Sequence, residues 1–244
     1  MIPIDEPALD AELIGSRYAA LLVRLRAAAE AAGRDPDRFR IVAVTKGLPV
    51  EAVLAAHDAG LLRFGENRVQ EAVPKVAALP GVEWHLIGRL QANKARVAVQ
   101  TFVTIHSIDS LDLLRRVDRI ASEESLHPTL LLQVNVSGEA TKGGFEVGWF
   151  EDDLRGGGAL ATALGALEAV HVQGLMTIGP AGASNAEARS VFARLRSLRD
   201  ALEDATGRSL PELSMGMTSD AEAAVAEGAT LVRVGTAIFG PRPG

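Results

Sequence analysis

Apolar positions along this chain repeat at two periods, and the change from one to the other marks its architecture. Between about Ala8 and Ala32, Ile14, Tyr18, Leu21, Leu22, Leu25 and Ala28 recur at helical spacing, and Gly33 ends the run. Short apolar runs rich in β-branched residues follow, at Ile41–Thr45, Arg63–Gly65, Glu83–Ile87, Phe102–Ile108, Leu130–Val136, Val170–Thr177, Glu212–Met215 and Leu231–Val234. Runs that are apolar on both faces suit buried parallel strands. Helical patterns separate them, the clearest carried by Val191, Phe192, Leu195, Leu198 and Leu202. The alternation predicts an α/β fold: a single (β/α)8 TIM-type barrel over residues 1–244 with an extra N-terminal helix. A doubly wound open sheet is the alternative at the same strand count. The chain stops at Gly244, too soon after the last strand for a full eighth helix, so the N-terminal helix is expected to fill that gap. Gly156, Gly157 and Gly158 predict a flexible loop or a weak spot in the fifth crossover.

Composition narrows the function classes. Hydrophobic residues make up 48% and charged residues 23% of 244 residues, enough for a sizeable core. The net charge is -6 and no dense Lys/Arg cluster stands out, so no nucleic acid partner is expected. The absence of cysteine removes disulfides, thiolate zinc sites and a cysteine nucleophile together. The start Met1-Ile2-Pro3-Ile4-Asp5-Glu6 has neither the basic nor the apolar region of a signal peptide. No apolar run approaches the roughly 18 residues of a membrane span. A cytoplasmic monomer is expected.

In a β/α barrel, chemistry sits where the strands end. Lysine is scarce, and of Lys46, Lys75, Lys94 and Lys142 only Lys46 directly follows a strand run, Ile41–Thr45. A lysine in a partly dry pocket sheds its proton more readily and can then attack a carbonyl to form a Schiff base; a solvated lysine at a strand end is the other reading. Barrel phosphate sites commonly follow strands seven and eight. After the seventh run comes Thr218-Ser219-Asp220-Ala221-Glu222, in which Ser219 and Glu222 have capping-box spacing and Thr218 adds a hydroxyl. After the eighth, Gly235 permits close backbone approach and Thr236 offers another donor. Both turns together point to phosphate; each alone is satisfied by chain reversal. Arg233, between Val232 and Val234, either points inward at a partner such as a ring nitrogen or outward over a helix. Asn67 is placed to cap a helix after the second strand, and His85 lies in the third. His57, His106, His127 and His171 show no metal-ligand spacing with carboxylates, so no metal is expected.

Together these segments resemble the pyridoxal phosphate (PLP) homeostasis protein family, whose members are similar to the N-terminal barrel of alanine racemase. The resemblance rests on Ala43-Val44-Thr45-Lys46, Phe64-Gly65-Glu66-Asn67, Trp84 to Lys94, His106-Ser107-Ile108-Asp109, Val134-Asn135, Glu139 to Phe145, Gly174 to Ile178, Leu213 to Thr218 and Val232 to Gly240. It implies PLP as cofactor and Lys46 as its Schiff-base lysine, with Arg233 at the pyridine nitrogen. It implies that Thr218, Gly235 and Thr236 hold the phosphate with Ser214 and Met215 nearby, and that Asn67 and His85 line the pocket. Two departures stand out: Thr218 where the family often has serine, and Arg68 where it often has tyrosine.

Three functions fit these residues. The first is a homeostasis protein that holds PLP and stores or delivers it, with PLP-dependent apoenzymes as recipients. The second is a PLP-dependent amino-acid racemase. The third is a Schiff-base aldolase whose turns hold a sugar phosphate. Racemisation needs a proton-transfer group on each face of the substrate carbon. Tyr18, the chain's one tyrosine, falls on the apolar stripe of the first helix, leaving His85 as the remaining candidate for the second group. A poor catalyst, or none, is therefore expected.

Overall fold

The computed structural model describes residues 10–241, so Ala8 and Leu9 at the expected start of the first helix, and the N-terminal segment read for a signal peptide, lie outside the described residues. Helix α1 (Ala11–Ala31) opens the fold, its start capped by the Asp10 carboxylate, which accepts from the Leu13 N–H at 2.8 Å. The alternation then runs β1 (Arg40–Val44), α2 (Val50–Asp58), β2 (Arg63–Glu66), α3 (Val69–Ala78), β3 (Glu83–Leu86), α4 (Ala95–Thr101), β4 (Thr104–Ile108), α5 (Leu111–Glu124) and β5 (Thr129–Asn135). The fifth crossover carries β6 (Phe145–Glu146), α6 (Val147–Asp152) and α7 (Ala159–Gly165). Then come β7 (His171–Met176), α8 (Asn185–Thr206), β8 (Glu212–Ser214), α9 (Ala221–Ala226), β9 (Leu231–Val234) and α10 (Thr236–Phe239).

Every strand pairing among the described residues is parallel. Strand β1 lies between β2 and β9, and β4 pairs with β5, so eight of the nine described strands close into a ring. The chain is a TIM barrel, and the open sheet is excluded. The ninth strand, β6, adds to the end of β5 through Val134 and Phe145. Closure explains the runs seen in the sequence: β1 is buried along Ile41–Val44 because helices cover one face and the barrel interior takes the other.

Helix α1 buries Ile14, Leu21, Leu25 and Ala29 and packs against α9, α10 and α2. It therefore covers the gap beside the four-residue α10. The glycine triplet is a weak spot in the crossover, as expected, because Gly156 leaves helical backbone there (φ 169°, ψ 0°). Residues Asp153–Gly157 make a wide turn kinked at Gly156, and Gly158 enters α7 with φ +67°. The buried Asp153 carboxylate ties that turn by accepting from the Ala159 and Leu160 N–H groups, each at 2.9 Å. Among the described residues, no helix is long and apolar enough to cross a membrane.

Candidate functional site

A cleft of about 620 Å³ opens at the C-terminal ends of the strands. Lys46, half-buried, stands two residues past β1. Gly47, at φ +71°, turns the chain behind it, and the Leu48 N–H closes the turn on the Thr45 carbonyl at 3.0 Å. Asn67 follows β2, Thr218 follows β8, Arg233 projects from β9, and Gly235 and Thr236 follow β9; all of them line the same cleft as Lys46. Gly88 forms part of the wall by allowing the tops of β2 and β3 to meet, since a Cβ there would lie 2.2 Å from the Asn67 carbonyl oxygen.

The remaining sequence candidates lie deeper. Met215 is fully buried in the hydrophobic core that includes the covering helices. Ser214 and His85 project into the barrel interior beneath the cleft and do not line it. Arg233 points inward and is 4% exposed. Its Nη1 donates to Ser214 Oγ at 2.5 Å and its Nη2 to the Thr177 carbonyl at 2.8 Å. Burial lowers the guanidinium to about 10, against the opposing pull of Asp220, so it is cationic at neutral pH.

Two capping expectations are corrected. The helix after β8 starts at Ala221 with Asp220 as its cap residue, one position later than the Ser219 and Glu222 spacing implied. Asp220 instead closes the preceding turn by accepting from the Met217 N–H at 2.6 Å, and Glu222 reaches across to Arg24 of α1. Ser219 is exposed and lines the cleft. Asn67 does not cap α3; Arg68 holds that position, without a side-chain cap bond, and pairs at the surface with Glu71 at 3.1 Å.

Sequence reasoning missed Gln133 and Lys142. Both line the cleft, Gln133 from β5 and Lys142 from the segment that leads to β6. Lys142 Nζ is tied to Glu139 at 2.5 Å, the Gly179 carbonyl at 2.7 Å and Ser137 Oγ at 3.4 Å. The Glu139-Ala140-Thr141-Lys142-Gly143-Gly144 segment was the available sign of it. Among the described residues the lining holds Lys46, Arg89, Lys142 and Arg233 and no carboxylate, so a chain of net charge -6 presents a positive cleft.

Below Arg233 the interior is polar. His106 Nδ1 lies 2.8 Å from Ser214 Oγ, and His106 Nε2 lies 2.9 Å from His85 Nδ1. Burial lowers the basicity of both histidines; for His106 it does so strongly, aided by His85 and Arg233. As pH drops below the ordinary histidine value of about 6.5, the unfolded chain takes up protons that the folded barrel refuses. Stability is thus full above that value and is expected to fall through the window down to the folded-state values. The slope is about 1.4 kcal/mol per pH unit for each such histidine. Urea midpoints at about pH 7.5 and about pH 5.5 check this; equal midpoints would mean that the folded histidines titrate normally.

The family model for the N-terminal domain of alanine racemase matches residues 17–243. The pyridoxal phosphate homeostasis protein of Pseudomonas aeruginosa is 43% identical over 231 residues, covering 94% of this chain and 96% of that one. PipY of Synechococcus elongatus has been solved without PLP (42% identity, TM-score 0.80) and with PLP bound (40%, 0.78); each match covers 93% of this chain and 100% of PipY. Alanine racemase of Clostridium difficile shares the fold at 15% identity and TM-score 0.68, over 85% of this chain and 54% of the racemase.

Proposed function

Because the chain belongs to the pyridoxal phosphate homeostasis proteins within the alanine racemase N-terminal domain family, we propose that its cleft binds PLP covalently but exchangeably through Lys46. The donor set fits such a ligand. PLP supplies an aldehyde that a lysine amine can attack, an anionic phosphate and a pyridine ring. Lys46 offers the amine on one side of the cleft. Thr218, Ser219 and Thr236 offer hydroxyls, and Gly235 leaves backbone room for a phosphate. Arg233, held from below by Ser214 and Thr177, is a fixed donor for the ring nitrogen. A guanidinium keeps its proton, so the ring gains a hydrogen bond without gaining a charge. The observation that carries the reading is this convergence of Lys46, Arg233 and the β8 and β9 turns on one cleft free of carboxylates among the described residues.

Storage and delivery in the cytoplasm, by a monomer with PLP-dependent apoenzymes as recipients, fits the lining better than amino-acid turnover. Racemisation needs a second proton-transfer group facing Lys46, and among the described residues no tyrosine, histidine or carboxylate lines the cleft. Tyr18 sits on α1, half-buried, its hydroxyl held above the usual tyrosine range by that burial. The test is to incubate the purified protein with PLP, reduce with borohydride and map the modified residue by mass. Pyridoxyl label on Lys46, with no D-isomer formed from L-amino acids, is the expected result. Label elsewhere defeats the site, and sustained turnover near the enzyme median of roughly 10 per second defeats the storage reading.

A further inference from the structure

We propose that Ser214, His106 and His85 are positioning residues acting in series on Arg233: a hydrogen-bonded chain along the barrel interior whose direction Arg233 sets, and which holds the guanidinium beneath the cleft. The proposal deepens the PLP reading and rests on it for the identity of the ligand.

The direction follows from donor and acceptor capacity together with the cost of burying a hydroxyl proton without an acceptor. Guanidinium has only donors. Arg233 Nη1 lies 2.5 Å from Ser214 Oγ, so that oxygen accepts. Ser214 has one hydroxyl proton, and its other close partner is His106 Nδ1 at 2.8 Å. Ser214 Oγ has a second lone pair, but accepting there too would leave its buried hydroxyl proton without an acceptor among the described residues, so the proton goes to His106 Nδ1, which carries the lone pair. A neutral imidazole with Nδ1 free holds its proton on Nε2, which faces His85 Nδ1 at 2.9 Å. His85 Nδ1 accepts in turn, and the His85 proton sits on Nε2. Burial depresses the basicity of both rings, which keeps them in the single-proton form that the chain requires. The far end is consistent: His85 Nε2 is buried without a hydrogen-bond partner and lies 3.6 Å from Glu83 Oε2, which a donor faces favourably and a lone pair would not.

The chain spans four strands that closure brings together: β9 and β8 on one side, β4 and β3 on the other. Arginine is long and loses much rotamer freedom when fixed. Here two of its groups are committed, to Ser214 Oγ and to the Thr177 carbonyl. Ser214 could rotate its hydroxyl elsewhere if His106 Nδ1 did not take the proton. His106 could adopt the other tautomer if His85 did not take its Nε2–H. Each link therefore removes an alternative from the one above it.

Long-range ¹H–¹⁵N correlation spectra of the histidines, recorded without PLP, test the chain apart from the cofactor. His106 and His85 are expected as Nε2–H tautomers, uncharged at neutral pH. Either ring as the Nδ1–H tautomer, or charged, overturns the proposal whether or not PLP binds. Ser214→Ala, which removes one oxygen, is expected to leave His106 as a tautomer mixture. In the same variant PLP release should rise by roughly tenfold, the scale of one hydrogen bond to a charged group, with borohydride label still on Lys46. Ser214→Thr keeps the hydroxyl and is expected to restore both readouts. Unchanged tautomers and unchanged release in Ser214→Ala would reduce Ser214 to packing and overturn the proposal. If the wild-type protein captures no PLP, the cofactor reading falls, and the tautomers alone decide the chain.

Discussion

Lys46→Ala is expected to abolish covalent capture of PLP completely, at a stability cost of about 1 kcal/mol, the average for a point change. The loss should be complete because no other lysine can stand in. Lys75 lies 6% exposed outside the barrel wall, with its Nζ donating to the Thr45 carbonyl at 2.8 Å and to Glu66 at 2.7 Å. Lys94 belongs to a three-residue turn before α4 and does not line the cleft. Lys142 does line it, but Glu139, Ser137 and the Gly179 carbonyl hold its Nζ, and an attack from it would forfeit all three contacts. The check is borohydride reduction and peptide mass mapping of wild type and variant in parallel, with near-ultraviolet circular dichroism to show the fold retained. Wild-type labelling in a well-folded Lys46→Ala protein would remove Lys46 from its assigned role.

The positions of the strand ends explain why so much of this site was legible in the sequence. A residue that directly follows a buried apolar run must lie near one rim of the barrel, so Lys46, Asn67, Thr218, Gly235 and Thr236 could be placed together from spacing alone. Depth and facing were harder. The strands are buried on both faces, so no polar alternation shows which side chains point inward. Residue types alone allow Arg233 either direction for that reason, and only the family resemblance points it inward, where it lies. Met215 adjoins the phosphate turn in sequence, but its side chain faces the outer core. His85 does point inward, but one layer too low to line the cleft, and its partner His106 comes from the adjacent strand β4. Only closure of the barrel puts Ser214 within reach of that pair. At the turn after β8, Ser219 and Asp220 are both competent caps, and the choice between them depended on the Met217 N–H, a backbone detail that residue types do not encode. In the fifth crossover the glycine run marks a break, and Gly156 does leave helical backbone there. What residue types do not show is that the buried Asp153 ties the kinked turn by accepting from the Ala159 and Leu160 N–H groups.

Lys75→Met is expected to destabilise the barrel by about 3–5 kcal/mol, the usual cost of breaking a buried ion pair from one side. Glu66 is fully buried; its Oε1 accepts from Lys75 Nζ at 2.7 Å and from Thr45 Oγ1 at 2.6 Å, while its Oε2 has no hydrogen-bond partner. Methionine, one atom shorter, would fill most of the space of Lys75, but the carboxylate would then keep only the Thr45 hydroxyl, and the Thr45 carbonyl would lose its lysine donor. Removing the charge as well, in a Glu66→Leu/Lys75→Met double variant, should recover most of the loss, since apolar replacements of a buried pair are often neutral. Urea unfolding of both variants measures this, and a single-variant cost below about 1 kcal/mol would show the pair to be solvated rather than buried. The recovered double variant then separates stability from position. Thr45 immediately precedes Lys46, and the Lys75 bond to its carbonyl holds the start of the turn that carries the reactive amine. A double variant as stable as wild type but slower to capture PLP would assign the ion pair to aiming Lys46. Capture at the wild-type rate would leave the pair a structural element of the β1, β2 and α3 layer and nothing more.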